Sequence, residues 1–186
     1  MLNKQFAATL AFLLIIANVA VAKPIDISHT ITPRKQDKKW SCWAAATAVL
    51  WEWKNHKIIT EADLADLAGE KFRAIYDAGA TAGITEAQEG VFYKSLGLRV
   101  ERGQNPSIDA WAGMLESGPL SVTLSAEKKG EYHAIVVYAF RGDGSAQNTT
   151  VTFLDPWDGK SYELQFAKFV DLFEKGSGYE IQIIHW

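Results

Sequence analysis

The sequence predicts an α+β fold with helices first and a sheet second, and three observations carry that expectation. Residues 40–53, WSCWAAATAVLWEW, are apolar nearly all round at a helical period, which places this helix inside a domain rather than on its surface. Residues 119–125 alternate apolar and polar like a half-buried strand, and residues 133–140, HAIVVYAF, are apolar on both faces like a strand at the centre of a sheet. The turn-rich run 141–149 then joins that strand to a returning strand, 150–155, as an antiparallel hairpin.

Taken from the N-terminus, the first 22 residues read as a signal peptide. Lys4 supplies a positive start, Ala7 to Ala17 an apolar run, and Ala20-Val21-Ala22 the small-x-small ending that signal peptidase cleaves. A membrane anchor is the competing reading, but the run from Phe6 to Ala22 is about 17 residues, the short end of what spans a bilayer. The expectation is therefore a signal peptide over 1–22 and one domain over 23–186. The mature protein is expected to be secreted or periplasmic, without stable membrane association.

A polar lead, Lys23 to Lys39, reaches the buried helix, where Ser41 is the expected N-cap and Cys42 lies in the first turn. Cys42, Ala46, Val49, Leu50 and Trp53 share one face, and Ala44, Ala45 and Ala48 occupy the other. A second helix is expected from Glu61 to Asp77 after Thr60, and a third after Thr85, which forms a capping box with Gln88, ending near Leu96-Gly97. A short strand, Leu98 to Arg102, and a helix, Ser107 to Leu115, precede the strands described above. A helix around Leu164 to Glu174 and a strand from Tyr179 to Trp186 close the chain.

The chain's 186 residues, 48% hydrophobic content and seven tryptophans suit one well-buried core. The formal charge of −3 comes without a basic stripe, so nucleic acid is not an expected partner. Arg141-Gly142-Asp143 reads as a glycine-rich turn, Asn148-Thr149-Thr150 as a chance glycosylation triplet, and no residues have metal-ligand or phosphate-loop spacing.

Cys42 is the only cysteine, so an exported chain has no intrachain disulfide and an unpaired thiol. An inert buried residue or a tether to another chain are the bland readings. The first turn of a helix, with its partial positive charge and free N–H groups, instead favours a thiolate. Such a nucleophile needs a base, and there are four histidines. His56, on a continued helix, would lie about 21 Å from Cys42. His29 sits in the lead and His185 next to the C-terminus, where surface or edge positions are expected. His133 opens the central strand. If 133–140 pairs with 150–156, opposite residues have numbers summing to about 289, give or take two, which sets His133 across from Asp155 or Pro156. A carboxylate there holds the imidazole's tautomer and stabilises the imidazolium. Asp158 is the alternative orienter. Gln36, six residues before Cys42, is placed to aim an amide N–H at an oxyanion beside the Cys42 N–H, although alone it reads as a solvated residue.

Together these residues resemble a known family. The segment from Gln36 to Cys42-Trp43-Ala-Ala is similar to the papain-like Gln-x5-Cys-Trp motif at the start of a central helix. His133-Ala-Ile-Val-Val and Phe153-Leu-Asp155-Pro-Trp resemble the His and Asp-Pro motifs of bacterial papain-like peptidases, notably the double-glycine leader peptidases and small effector proteases. The resemblance covers nearly all of residues 30–186. It implies a papain-like fold, with a central helix carrying the nucleophile in a helical half and an antiparallel sheet in the other half. It implies a cysteine peptidase with no cofactor, acting on a protein or peptide substrate through a thioester acyl-enzyme; the oligomeric state stays open, with a monomer the expectation. Cys42 would be nucleophile, His133 base and acid, Asp155 orienter and Gln36 oxyanion donor. Plant papains usually have Asn in the third place and disulfides; Asp155 and the lone cysteine fit the compact bacterial branch. A transglutaminase-like acyltransferase, which shares the Cys-Trp, His, Asp order, and a non-catalytic papain-fold binding protein are the rival readings.

Overall fold

The computed structural model describes residues 23–102, 105–126, 131–176 and 178–186. The expected signal peptide, 1–22, lies outside the described residues. Strand β1 (Ile25–Ser28) stands within what reads as a polar lead, and four helices follow it, α1 (Cys42–Asn55), α2 (Glu61–Ala68), α3 (Glu70–Asp77) and α4 (Glu86–Ser95). Next come β2 (Arg99–Arg102), α5 (Ile108–Glu116), β3 (Leu120–Ser125), β4 (Tyr132–Gly142), β5 (Thr149–Asp155), β6 (Lys160–Gln165), α6 (Phe166–Lys175) and β7 (Ile181–His185). Among these residues, helices and a seven-stranded antiparallel sheet give the α+β architecture expected, with the helix that begins at Cys42 in the helical half.

Local chemistry explains the helix ends. Thr60 Oγ1 accepts the Asp63 N–H at 3.0 Å, Ser107 Oγ accepts the Ala110 N–H at 3.2 Å, and Thr85 and Gln88 form the expected capping box. The single helix expected from Glu61 to Asp77 is two helices. Gly69, with φ 126° and ψ 154°, breaks the chain between α2 and α3 in a conformation open essentially to glycine alone. Its N–H still bonds the carbonyls of Ala65 and Asp66, so no donor is wasted at the break.

The sheet runs β2-β7-β3-β4-β5-β6, and β1 pairs with β4 beside that path. Central β4 is long enough to take β3 along residues 132–137 and β1 along residues 139–142 on one side, with β5 on the other. The alternation of β4 feeds two cores. Ala134 and Val136 join Trp43, Phe72, Phe92 and Tyr93 on the side of α1 to α4. Ile135, Val137 and Phe140 join Trp111, Phe169 and Phe173 on the side of α5 and α6. Each fully buried large side chain contributes about 1.5–3 kcal/mol relative to exposure.

Two strand expectations change. β3 is buried on both faces rather than half-buried, because α1 covers the side that carries Ser121 and Thr123. β6 occupies residues for which no strand was expected and takes the first two of the expected helix, so α6 starts two residues later than Leu164.

Candidate active site

Cys42 is the first residue of α1 and is partly exposed. Ser41 stands at the N-cap position but its side chain does not cap the helix. Its hydroxyl instead accepts the Lys38 N–H and donates to the Lys38 carbonyl, both at 3.1 Å, closing a tight turn ahead of the cysteine. The Ser41 carbonyl takes the Ala44 and Ala45 N–H groups, so the positive end of α1 is turned toward the Cys42 side chain without a side-chain cap across it.

His133 is the second residue of β4, opposite Leu124 of β3. Its Nε2 lies 2.6 Å from Asp155 Oδ1. Asp155 is the last residue of β5, and the same oxygen accepts the Trp157 N–H at 2.8 Å, so the carboxylate also shapes the turn that follows. The β4–β5 register falls within the expected range. Val136 pairs with Leu154 and Val137 with Phe153, sums of 290, and a bulge between Val137 and Ala139 shifts the rest to 291. Extending this ladder puts Asp155 across from Ile135, with His133 diagonal to it on the same face, still within reach of a long side chain. Asp158, the alternative orienter, accepts the Tyr162 hydroxyl at 2.6 Å and the Lys160 N–H at 3.0 Å within its own turn.

The electrostatics favour an ion pair. Burial disfavours a charge on His133, but the hydrogen bonds to Asp155 and Cys42, and the charges of both, push it from 6.5 up to about 10. Burial likewise opposes a charge on Asp155, yet the His133 contact and the Trp157 N–H hold its carboxyl below the usual 3.8. With Nε2 committed to Asp155, Nδ1 is the ring nitrogen left for the thiol. A thiol facing an imidazolium at a helix N-terminus can attack a carbonyl and hand a proton to the group that leaves.

Gln36 is 8% exposed rather than solvated. Its amide nitrogen donates to the Lys38 and Lys39 carbonyls, both at 2.8 Å, and its backbone N–H bonds Pro156 O at 2.7 Å. In this geometry the side chain organises the loop that delivers Cys42, and donating to an oxyanion requires exchanging one of those two bonds.

The remaining histidines stand apart from the thiol. His56 closes the far end of α1 with φ 53°. His29 bonds the Leu115 carbonyl at 2.6 Å and meets Trp53 edge-on. His185 is buried, contrary to the surface expectation, because β7 lies between β2 and β3 rather than at an edge; its Nε2 is 3.2 Å from Glu101.

Cys42 sits between two depressions. One, about 660 Å³, runs along His133 and Asp155 over Ile135, Phe153, Trp157 and Leu172. The other, about 380 Å³, lies over Trp43, Thr123, Glu89 and Tyr179. Two buried acids near the site escaped the sequence reading. Glu89 accepts the Tyr93 and Tyr179 hydroxyls at 3.3 and 2.6 Å, and burial pushes it to about 7 against those bonds. Glu61 lies beneath the loop before Cys42. Both carry ordinary helix-start acids' signatures, and only tertiary packing buries them. Among the described residues, no group of three His, Cys, Asp or Glu side chains is arranged to hold a metal ion.

No curated protein matches the chain. A family model described as papain-like cysteine protease AvrRpt2 matches residues 25–174, a span that holds Gln36, Cys42, His133 and Asp155, and the chain belongs to this family of cysteine proteases.

Proposed function

We propose that the chain is an exported peptidase that hydrolyses peptide or isopeptide bonds through a Cys42-His133-Asp155 triad and a thioester intermediate. The observation that carries this reading is the 2.6 Å contact of His133 Nε2 with Asp155, which leaves the other ring nitrogen for Cys42. Membership of a protease family supports a protein substrate.

In this reaction the Cys42 thiolate forms a C–S bond to the carbonyl carbon, and the π electron pair moves onto oxygen. The Cys42 N–H is the first donor for that oxyanion, and the Gln36 amide the second once it releases a loop carbonyl. Collapse breaks the C–N bond, and the departing nitrogen takes the proton from His133. Neutral His133 then removes a proton from water, whose oxygen attacks the thioester; the C–S bond breaks and the thiolate–imidazolium pair is restored. Export before cleavage at Ala22, to the periplasm or the medium, and action as a monomer complete the reading.

Cys42→Ala and His133→Ala, assayed on a broad peptide panel with products read by mass spectrometry, test it. Each is expected to lose activity by at least about 10²-fold, the scale of a missing nucleophile or general base. Full activity in either variant removes the triad.

A further inference from the structure

One fully buried carboxylate lies under the segment that delivers the cysteine and takes no part in the reaction above. Glu61 opens α2 with 0% exposure, and its Oε1 accepts the Asp37 N–H at 3.0 Å. Asp37 belongs to a strap, residues 36–41, tied at several points. At its start the Gln36 N–H bonds Pro156 O, next to Asp155, at 2.7 Å. Along it the Gln36 amide holds the Lys38 and Lys39 carbonyls, and the Trp40 N–H bonds Gly79 O at 2.9 Å. At its end Ser41 hands the chain to Cys42. The strap thus connects the helix bearing the thiol to the turn bearing the carboxylate, and Glu61 is its anchor on α2.

We propose that Glu61 is a positioning residue of the peptidase reaction: by holding the Asp37 N–H it fixes the strap that sets Cys42 against His133 and Asp155. The inference rests on the reading of Cys42 as nucleophile. The groups that face Glu61 are few. The Asp37 carboxylate, which accepts the Tyr76 hydroxyl at 3.2 Å, opposes its charge, whereas Arg34, the Ser41 hydroxyl and the Asp37 N–H favour it. Burial is the largest influence and pushes Glu61 up to about 7. Its charge therefore changes near neutrality. Above that pH the bond to Asp37 is charge-assisted and the strap is held most firmly; below it, the neutral acid holds the strap less firmly.

Glu61→Ala and Glu61→Gln, assayed with wild type on one cleaved peptide and normalised to titrated thiol, separate positioning from bulk folding. Glu61→Ala is expected to lower kcat by about ten- to hundredfold with KM nearly constant, the scale of a misplaced reacting group. Glu61→Gln keeps an acceptor for Asp37, so it recovers most of the low-pH kcat. It is expected to lack the rise in kcat through about pH 7 that ionisation of Glu61 is expected to give wild type. The inference is overturned by an unchanged kcat in Glu61→Ala, by a loss confined to KM, or by the same rise persisting in Glu61→Gln. If Glu61→Ala does not fold, the Glu61→Gln profile decides alone. Cys42→Ala in the same assay keeps the two readings apart. Activity there removes the nucleophile assignment, whereas an inactive Cys42→Ala with a fully active Glu61→Ala removes only the positioning role.

Discussion

Asp155→Asn separates the charge of the orienting group from its shape. Asp155 Oδ1 takes both His133 Nε2 and the Trp157 N–H, and asparagine retains an oxygen there, so the turn and the neighbouring ring have a reason to stay in place. What disappears is the negative charge. Burial works against the imidazolium, so its position at about 10 depends on Asp155 and Cys42. An adjacent opposite charge is worth about 1–3 pH units on a titration, at about 1.4 kcal/mol per unit. The alkaline limb of kcat/KM is therefore expected near pH 10 in wild type, and about 1–3 units lower in Asp155→Asn. kcat should fall as well, because the imidazolium loses the negative charge that sustains it while the oxygen that holds its tautomer stays. The stability signs follow. His133 is raised on folding, so its contribution is complete below 6.5 and lost as pH rises through about 10. Asp155 is lowered, so its contribution is present above 3.8 and lost as pH falls through its folded value. Rate profiles paired with urea titrations over pH 4–11 measure both. An alkaline limb that stays near 10 in Asp155→Asn, or an equal shift in Asp158→Asn, refutes the assignment of Asp155 as the partner that sustains the imidazolium.

Two further outcomes are expected. Arg34→Ala should destabilise the fold by about 3–5 kcal/mol in urea denaturation, because Glu52, at 5% side-chain exposure, is left buried without the guanidinium 2.5 Å away. Replacing both residues by apolar ones of similar volume should recover most of that loss; no recovery would mean that the pair acts mainly by holding the Ile59 backbone, whose carbonyl bonds Arg34 and whose N–H bonds Glu52. Mass spectrometry of the exported protein should find Lys23 at the N-terminus, and a retained Met1 would remove the signal-peptide reading.

What the sequence reveals, and what it hides, follows the range of the interactions. The α1 helix is legible because fourteen residues repeat one local period, and the Thr85 and Gln88 box because both partners lie within four residues. The break at Gly69 is also local, but a glycine within an otherwise periodic run gives no sign that it will leave the helix. β1 and β6 are illegible for a different reason. Ile25–Ser28 is too short to show alternation and is a strand because β4 offers it an edge; Lys160–Gln165 is largely exposed and polar, an outer strand that β5 supplies with partners. The hairpin that joins His133 to Asp155 is legible with its register to within two residues, whereas the bulge that shifts that register partway has no sequence marker. Gln36 looks like a surface residue until the strap folds over it. The buried state of Glu61, Glu89 and His185 is set by elements far away in the chain, so no window around them reports it.

The alanines of α1 acquire a geometric meaning from the site. In the sequence they indicate helix propensity and burial. In the structure Ala44, Ala45, Ala46 and Ala48 are all 0% exposed, and α1 packs on β4, whose Ala134 and Val136 share the same core. Small side chains on both surfaces let helix and strand approach closely. A thiol reaches only two bonds from its backbone and an imidazole not much farther, so a nucleophile on a helix can meet a base on a strand only if the two backbones lie near each other. Larger residues at Ala44 or Ala134 would widen that spacing, and the strap of residues 36–41 would then hold its two ends at odds with the core. The proposed site therefore depends as much on what α1 and β4 lack in side-chain volume as on the thiol and the ring they carry.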